Sequence, residues 1–596
     1  MKRYFLFIWL LVQVYMTSLS NLDALSLRAL HVLFILSLSS LFFLENKKLS
    51  KPMAFLSVLS LGLFLYLYPG LAQTGGRLET IHIVLGLAIL VLILVLAFYV
   101  NRALFVLSLV FLTYLYWGQF IPGPLGHSGF SLYRVTSYMV WGSQGIFGLG
   151  VGVSMSYIFL FVLYGALLNA AGFTKMIYSI AGRFLRGQVG AGAKLSILAS
   201  GLMGMINGSA VANVATTGTV TIPLMKKTGY QDDYAAAVEA AASTGGQFCP
   251  PIMGAVGFVM AEYLKLPYKE VMVAAILPAL IYYLSLFFQV HYQAKKLGLA
   301  PMEEEGEKPK RQDFLPLLSI LVLLVLINRG YTPIYSVLWA IGVLLVTMQF
   351  HKESPLRGDR LVQGLMEGGQ TALKVGLACI LIGFIIGSVT LSGFGINFGE
   401  LVLSTLAKGN LFIGAFFVMI LSVILGMGVP GLAAYIIVAS VAVPVLIKLD
   451  ASPLGAHMFC LYYGVLSNIT PPVAISCYVA SSMAGSDPWK TGFTAMKIAF
   501  AGFILPFVFL FNPALLAQGD LVNLVEVTLT ALYGTYLFAL ALAGYWQEPL
   551  SGAKRLVLFM AGLALLVPGL LSDGLGLALS LPILWFSRKK KEGIPC

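Results

Sequence analysis

The sequence predicts an all-α polytopic membrane protein with about sixteen crossings, and three observations lead there. Of its 596 residues, 59% are hydrophobic and only 10% charged, with a mean hydropathy of +0.91. A soluble domain carries about 25% charged residues. Apolar runs such as 81–100, 157–168, 498–511 and 556–570 hold almost no charge over most of a bilayer's thickness. Lysine and arginine fall between the runs, in clusters, as in the loops of a multi-span chain.

The expected crossings lie near 4–20, 27–44, 52–69, 81–100, 103–120, 146–170, 233–262, 268–293, 314–328, 332–350, 366–391, 453–482, 493–512, 523–545, 553–570 and 574–587. The first resembles a signal peptide in its basic start, but no small-x-small cleavage site follows, so it is read as a helix. Two stretches, about 190–225 and 410–447, have glycine-rich midpoints and are read as re-entrant hairpins. With both termini cytoplasmic, 27 of the 37 Lys/Arg fall inside the cell and eight outside, and that bias sets the orientation. The clusters responsible are Lys47/Lys48/Lys51, Arg183/Arg186, Lys226/Lys227, Lys308/Lys310/Arg311 and Arg588–Lys591. The first hairpin then opens to the cytoplasm and the second to the outside. The net charge of +13 reflects these loops and implies no nucleic-acid partner. Five cysteines, at 249, 379, 460, 477 and 596, form no CxxC or metal spacing.

Two halves of the central region superpose at a constant offset of 221 residues. Pro223 meets Pro444, Pro250-Pro251 meets Pro471-Pro472, Pro267 meets Pro488, and Lys269 meets Lys490. The midpoint Asn207-Gly208-Ser209 falls on Gly428-Val429-Pro430. With 26 prolines in the chain, four such coincidences in one short window mark a duplication. An odd number of crossings separates the copies, so they are expected to be inverted, the layout of many secondary carriers.

A Pro-Pro pair inside a span interrupts the helix, because proline lacks a donor and clashes with the carbonyl one turn back. The freed backbone groups must meet protein, water or a ligand. One half-helix then offers carbonyl oxygens suited to Na⁺; the other offers N–H groups and a positive dipole end suited to a carboxylate. The breaks read Ser243-Thr244-Gly245-Gly246-Gln247-Phe248-Cys249-Pro250-Pro251 and Ser467-Asn468-Ile469-Thr470-Pro471-Pro472. The tips read Met205-Ile206-Asn207-Gly208-Ser209-Ala210 and Gly426-Met427-Gly428-Val429-Pro430-Gly431. Glu239 is the one carboxylate well inside an inner span, nearer the cytoplasmic end than the break. Neutral oxygen ligands without a carboxylate relay favour Na⁺ over H⁺ as coupling ion. Lys374 is expected to snorkel to the cytoplasmic surface; His457 is read equally as a solute contact or a packed histidine.

The strings Gly208-Ser209-Ala210-Val211-Ala212-Asn213-Val214, Thr221-Ile222-Pro223-Leu224-Met225-Lys226-Lys227-Thr228-Gly229-Tyr230, Ala237-Val238-Glu239-Ala240-Ala241-Ala242-Ser243-Thr244-Gly245-Gly246-Gln247 and Asn468-Ile469-Thr470-Pro471-Pro472-Val473-Ala474 resemble the tripartite ATP-independent periplasmic (TRAP) transporters. Specifically, they resemble the fused permease of the branch that uses a TAXI-type binding protein. The resemblance spans about 100–512. It implies an inner-membrane, Na⁺-driven elevator-type importer of a small organic anion, fed by a periplasmic TAXI-type solute-binding protein. Residues 1–100 are then expected to be a small-subunit-like membrane domain. Residues 101–512 would be the permease, with repeats at about 190–293 and 410–512, and 513–596 a three-helix extension. The solute is expected at Asn207, Ser209, Gln247, Tyr435, Asn468 and Thr470. Na⁺ is expected at Asn207, Ser209, Thr244, Gly246, Gly428, Pro430, Ser467 and Thr470, with no other cofactor. Two departures stand out: Asn207 where the family has serine, and Gly431-Leu432 after Pro430 where threonines are usual.

Rival readings come from other classes. Gly126-His127-Ser128-Gly129 fits the GxSG pattern of rhomboid-type intramembrane proteases, but it sits in a Pro/Gly-rich loop. No HExxH or P-loop is present, and the GxGxxG spacing of Gly426–Gly431 is the second hairpin tip, so no motif supports another enzyme or an ATP-driven pump. A channel would also use polar broken helices, yet hairpins from opposite faces suit alternating access better. An elevator carrier that works without a binding protein is the nearest alternative.

Overall fold

The computed structural model describes residues 2–73, 75–301 and 309–592, and among them there is no strand, only the isolated bridges Val189–Pro301 and Tyr545–Pro549. Lys308 and Cys596 lie outside the described residues, as do the side chains of Arg588–Lys591. Among the described residues, eleven helices are long and apolar enough to cross a bilayer, or twelve with the pair Pro488–Ile498 and Phe500–Phe511, which bends by 44°. The expected number was about sixteen. Segments that contain a break account for part of the difference, since each divides into two short helices; Lys2–Ser18 and Gly552–Leu566, at 17 and 15 residues, account for more.

The chain forms two compact units. One comprises the described residues of Met1–Gly172, Phe314–Gly409 and Ala439–Val445. Its axis is the 34-residue helix Asp359–Ser392, flanked by Leu149–Val153, Phe159–Ala170, Arg102–Trp117 and Ala24–Phe43. Glycines let these helices approach: a methyl group at Gly364 would lie 2.9 Å from Ala170 Cβ, and one at Gly376 2.5 Å from Ile35 Cδ1. Buried His31 ties three helices together, its Nδ1 2.8 Å from Gln13 Oε1 and its Nε2 3.1 Å from Ser154 Oγ. Lys374 is exposed and its ammonium lies over the Phe43 ring at 5.4 Å, so it reaches the end of a neighbouring helix rather than the unit's interior.

The other unit comprises the described residues of Phe173–Asp313, Asn410–Val438 and Leu446–Cys596. It holds both breaks and both tips, and the repeat is visible helix by helix along the chain. Ala210–Lys227 and Gly431–Lys448 begin and end 221 residues apart, as do Asp232–Gly245 and Pro453–Leu466, and the single turns Gly246–Phe248 and Ser467–Ile469. Both copies then reach a cis Pro-Pro bond and resume as Val256–Leu264 and Ile475–Ala484. The copies cross over: Asp232–Gly245 packs on Ile475–Ala484 and Pro488–Ile498 of the second copy. At its start, Asp233 pairs with Lys490 at 3.2 Å, and Lys226 pairs with Asp232 at 3.1 Å.

The C-terminal helices Leu521–Ala543, Gly552–Leu566 and Leu570–Glu592 belong to this same unit. Leu521–Ala543 runs along Tyr268–Lys296, where the Tyr292 and Tyr536 hydroxyls are 3.0 Å apart and Lys296 Nζ donates to Ala543 O at 2.9 Å. Phe538 packs on both Phe500 and Phe559, with centroids 5.2 and 5.0 Å away.

Candidate functional site

The site begins with two glycines where helices meet backbone to backbone. A methyl group at Gly246, in the first break, would lie 2.4 Å from Gly204 Cα of the first hairpin; one at Gly254 would lie 2.5 Å from Gly208 Cα. Gly208 itself ends helix Ala191–Asn207 in the left-handed region, φ +67°, where a side chain is strained. Ser209 follows as N-cap of Ala210–Lys227, accepting from Ala212 N at 3.3 Å. The second copy repeats the approach less tightly: a methyl group at Gly426 would lie 2.6 Å from Ser467 Oγ, and Gly428 turns the chain at φ +79°.

Gln247 joins the two tips. Its Nε2 donates to Gly208 O at 3.2 Å, while its Oε1 is buried with no hydrogen-bond partner. That oxygen is directed at the second tip, since a methyl group on Gly431 would lie 1.9 Å from it. A buried amide oxygen without a donor costs about 1–3 kcal/mol, and a carbonyl so placed is an acceptor awaiting a donor or cation. Gly431, having no side chain, is what makes room for it.

The other expected residues divide by what their side chains do. Asn207 Nδ2 donates to Asn213 Oδ1 at 3.2 Å. Thr244, Ser467 and Thr470 each donate their hydroxyl proton to a carbonyl of their own helix, at 2.7, 2.6 and 2.9 Å. That geometry leaves the hydroxyl oxygens' lone pairs available to a cation. Asn468 Nδ2 donates to Val465 O at 3.0 Å. Gly428 and Pro430 form the second tip together with buried Val429. Tyr435 is fully buried, its hydroxyl 2.8 Å from His457 Nδ1, with the Tyr263 ring against both. His457 is therefore a packed partner of two tyrosines.

Sequence reasoning noticed Glu239 and missed its surroundings. Its side chain is fully buried and meets five hydroxyls. Ser196 and Thr221 donate to Oε2 at 2.6 and 2.5 Å; Ser200, Thr217 and Ser243 donate to Oε1 at 2.8, 2.5 and 3.0 Å. The signal was present as three polar pairs at i, i+4 spacing on three apolar helices: Ser196/Ser200, Thr217/Thr221 and Glu239/Ser243. From this cage a chain of bonds leads to the first tip: Asn213 Nδ2 donates to Ser243 Oγ at 3.1 Å, and Asn207 donates to Asn213.

The protease pattern finds no support in this geometry. Ser128 is exposed in an irregular loop, and the His127 ring is engaged by Tyr114 O at 2.9 Å and by Gly129 N at 3.0 Å.

An all-helical, multi-span chain with paired helix breaks facing glycine-lined tips is a membrane transport protein in its architecture. The family model for the tripartite ATP-independent periplasmic transporter DctM component matches residues 87–524, and the chain belongs to that family: it is a membrane permease component of a TRAP system and not an enzyme. It is 24% identical over 340 residues to the sialic acid TRAP transporter large permease protein SiaM of Vibrio cholerae, covering 56% of this chain and 77% of that one. It is 25% identical over 332 residues to the C4-dicarboxylate TRAP transporter large permease protein DctM of Pseudomonas aeruginosa, covering 54% and 76%. With the isethionate TRAP transporter permease protein DctMQ of Oleidesulfovibrio alaskensis it shares 23% over 344 residues, covering 55% of this chain and 52% of that one.

Proposed function

We propose that this chain is the inner-membrane subunit of a Na⁺-coupled TRAP importer of the TAXI branch, taking a small organic anion from a periplasmic binding protein. Both termini face the cytoplasm in this reading. The relatives named for sialic acid, C4-dicarboxylates and isethionate support an anionic cargo. The observation that carries the reading is the meeting of the first break with both tips through Gln247. Its unpartnered oxygen and the surrounding tip and break carbonyls are suited to Na⁺, while the half-helix N-termini are suited to a carboxylate.

Thr470→Val and Ser209→Ala are expected to weaken Na⁺ activation by roughly 5- to 150-fold, the equivalent of about 1–3 kcal/mol for one lost polar ligand. Ser209→Ala also removes a helix cap, so its thermal stability should fall by about 1 kcal/mol more than that of Thr470→Val. Sodium titration of uptake in proteoliposomes that contain the binding protein measures both. Uptake driven equally well by a proton gradient without Na⁺ would overturn Na⁺ coupling.

The motion is an elevator displacement, in which tips and breaks travel together past the helices before residue 121 and those at 314–350. No charged residue lies between 201 and 223 or between 412 and 445, so nothing on the hairpins resists that passage. Cysteines introduced as Ser209→Cys and Pro430→Cys, on a cysteine-free background, are expected to exchange access to an impermeant thiol reagent in opposite phase. Both tips reachable from one side in every state would support a channel or a fixed-site gate instead.

A further inference from the structure

The cage around Glu239 is confined to the first repeat; the second builds the corresponding helices from other residues. At the 221-residue offset, Ser196, Ser200, Thr217, Thr221, Glu239 and Ser243 correspond to Phe417, Leu421, Val438, Ala442, Cys460 and Gly464. Helix bounds coincide there to the residue for two of the three helices, so these helices form with apolar residues at the corresponding positions. Burying one carboxyl group and five hydroxyls is costly. Such groups inside a membrane mark ion or proton pathways.

No lysine, arginine or histidine forms an ion pair with Glu239 among the described residues. Lys194, on the same helix as Ser196, reaches Gln188 at 2.9 Å; Lys226 and Lys490 hold Asp232 and Asp233. Lys497 lies at the far end of its helix from Lys490. The other titratable groups brought close are Tyr178, Tyr282 and Tyr283, whose hydroxyls donate to Thr217 O, Ala241 O and Ala242 O, and buried Cys477 on the packed helix Ile475–Ala484. No fixed positive charge therefore balances a carboxylate here, and a proton or a bound cation is what can neutralise it.

Spacing selects the ion. Oxygens coordinating a Ca²⁺-sized ion such as Na⁺, at about 2.4 Å, stand about 3.4 Å apart in an octahedral array. The cage oxygens lie 2.5–3.0 Å from the carboxylate, distances filled by hydrogens. The donors are also reversible. Thr217 and Thr221 have second acceptors one turn back, Asn213 O at 2.8 Å and Thr217 O at 3.0 Å. With Glu239 ionised, hydroxyls turn inward; with Glu239 protonated, a threonine hydroxyl turns to its backbone carbonyl and accepts from the carboxyl group. Both states leave every member satisfied.

We propose that Glu239 is a proton-binding site of the transport cycle, and that the Ser243–Asn213–Asn207 chain passes its state to the first hairpin tip. This goes beyond Na⁺ at the breaks, uses different atoms, and stands or falls separately.

Infrared pH titration of the full chain in lipid nanodiscs, in choline chloride, tests the site without a solute. A carboxylic-acid C=O band that titrates in the wild type and is absent from Glu239→Gln is expected. In Ser196→Ala/Thr221→Val that band should shift in frequency, since the carboxyl group loses two hydrogen-bond partners. If Glu239→Gln does not fold, the band's shift in the hydroxyl variant decides alone. The proposal is overturned if the wild type shows no such band, or if the hydroxyl variant leaves it unmoved. It is also overturned if NaCl stabilises the wild type against heat but no longer stabilises Glu239→Gln, which would assign the cage to Na⁺. A sodium response that persists in Glu239→Gln leaves the Na⁺ reading of the breaks intact.

Discussion

Gly246→Ala will unseat the first hairpin from the first helix break. The added carbon would lie 2.4 Å from Gly204 Cα and 2.9 Å from Met205 N, and neither atom belongs to a flexible side chain. Backbone must move, and forced overpacking of this kind costs about 1–3 kcal/mol, occasionally more. The shift would also pull Gln247 away from Gly208 O, so the variant should lose Na⁺-dependent stabilisation as well as thermal stability. Gly182→Ala is the control: it also sits inside a helix, but nothing lies within 4 Å of the added carbon, and its melting curve should match the wild type or lie slightly above it. Thermal unfolding of the detergent-solubilised chain, in NaCl against choline chloride, measures both effects. A Gly246→Ala protein as stable and as sodium-responsive as Gly182→Ala would show that the glycine contact is not what holds the tip.

Gln247→Met should do the reverse, sparing stability while removing function. Methionine is close in volume, so packing is preserved. The lost Nε2 bond to Gly208 O is worth about 0.5–1.5 kcal/mol, and removal of the unpartnered Oε1 returns about 1–3 kcal/mol. Net stability should therefore hold or rise slightly. Uptake with the binding protein present, and the sodium-dependent thermal shift, should each weaken at least tenfold, about 1.4 kcal/mol. A variant that unfolds would mark Gln247 as structural; one that transports normally would remove it from the site.

Much of this was legible in the chain itself, and for physical reasons. Helix breaks are written in residues that act locally: Pro250-Pro251 and Pro471-Pro472 interrupt their helices wherever they sit, and Gly208 permits a left-handed turn without help from neighbours. The 221-residue offset was equally plain, because prolines stay in register when apolar residues drift. What remained hidden depends on distances between helices. Ser196, Thr217 and Glu239 lie on three different helices, and each looks like an isolated polar residue on an apolar one until packing brings them to one point. Gln247 was readable as polar and central, but its aim at Gly431 was not. Tyr435 was expected at the solute, and only its placement beside His457 showed where its hydroxyl goes. Crossing number was the least legible feature, since a broken span and two short helices have the same composition.

The grip of the C-terminal helices on Tyr268–Lys296 has an experimental use. Because Tyr292, Lys296 and Phe500 are held by Tyr536, Ala543 and Phe538, the last eighty or so residues belong mechanically to the same body as the breaks. A fluorophore on exposed Val522 is thus a lever arm fixed to that body. It lies outside the tips and breaks, so dye chemistry there leaves the residues proposed to bind Na⁺ untouched, and single-molecule distance traces would test the proposed displacement.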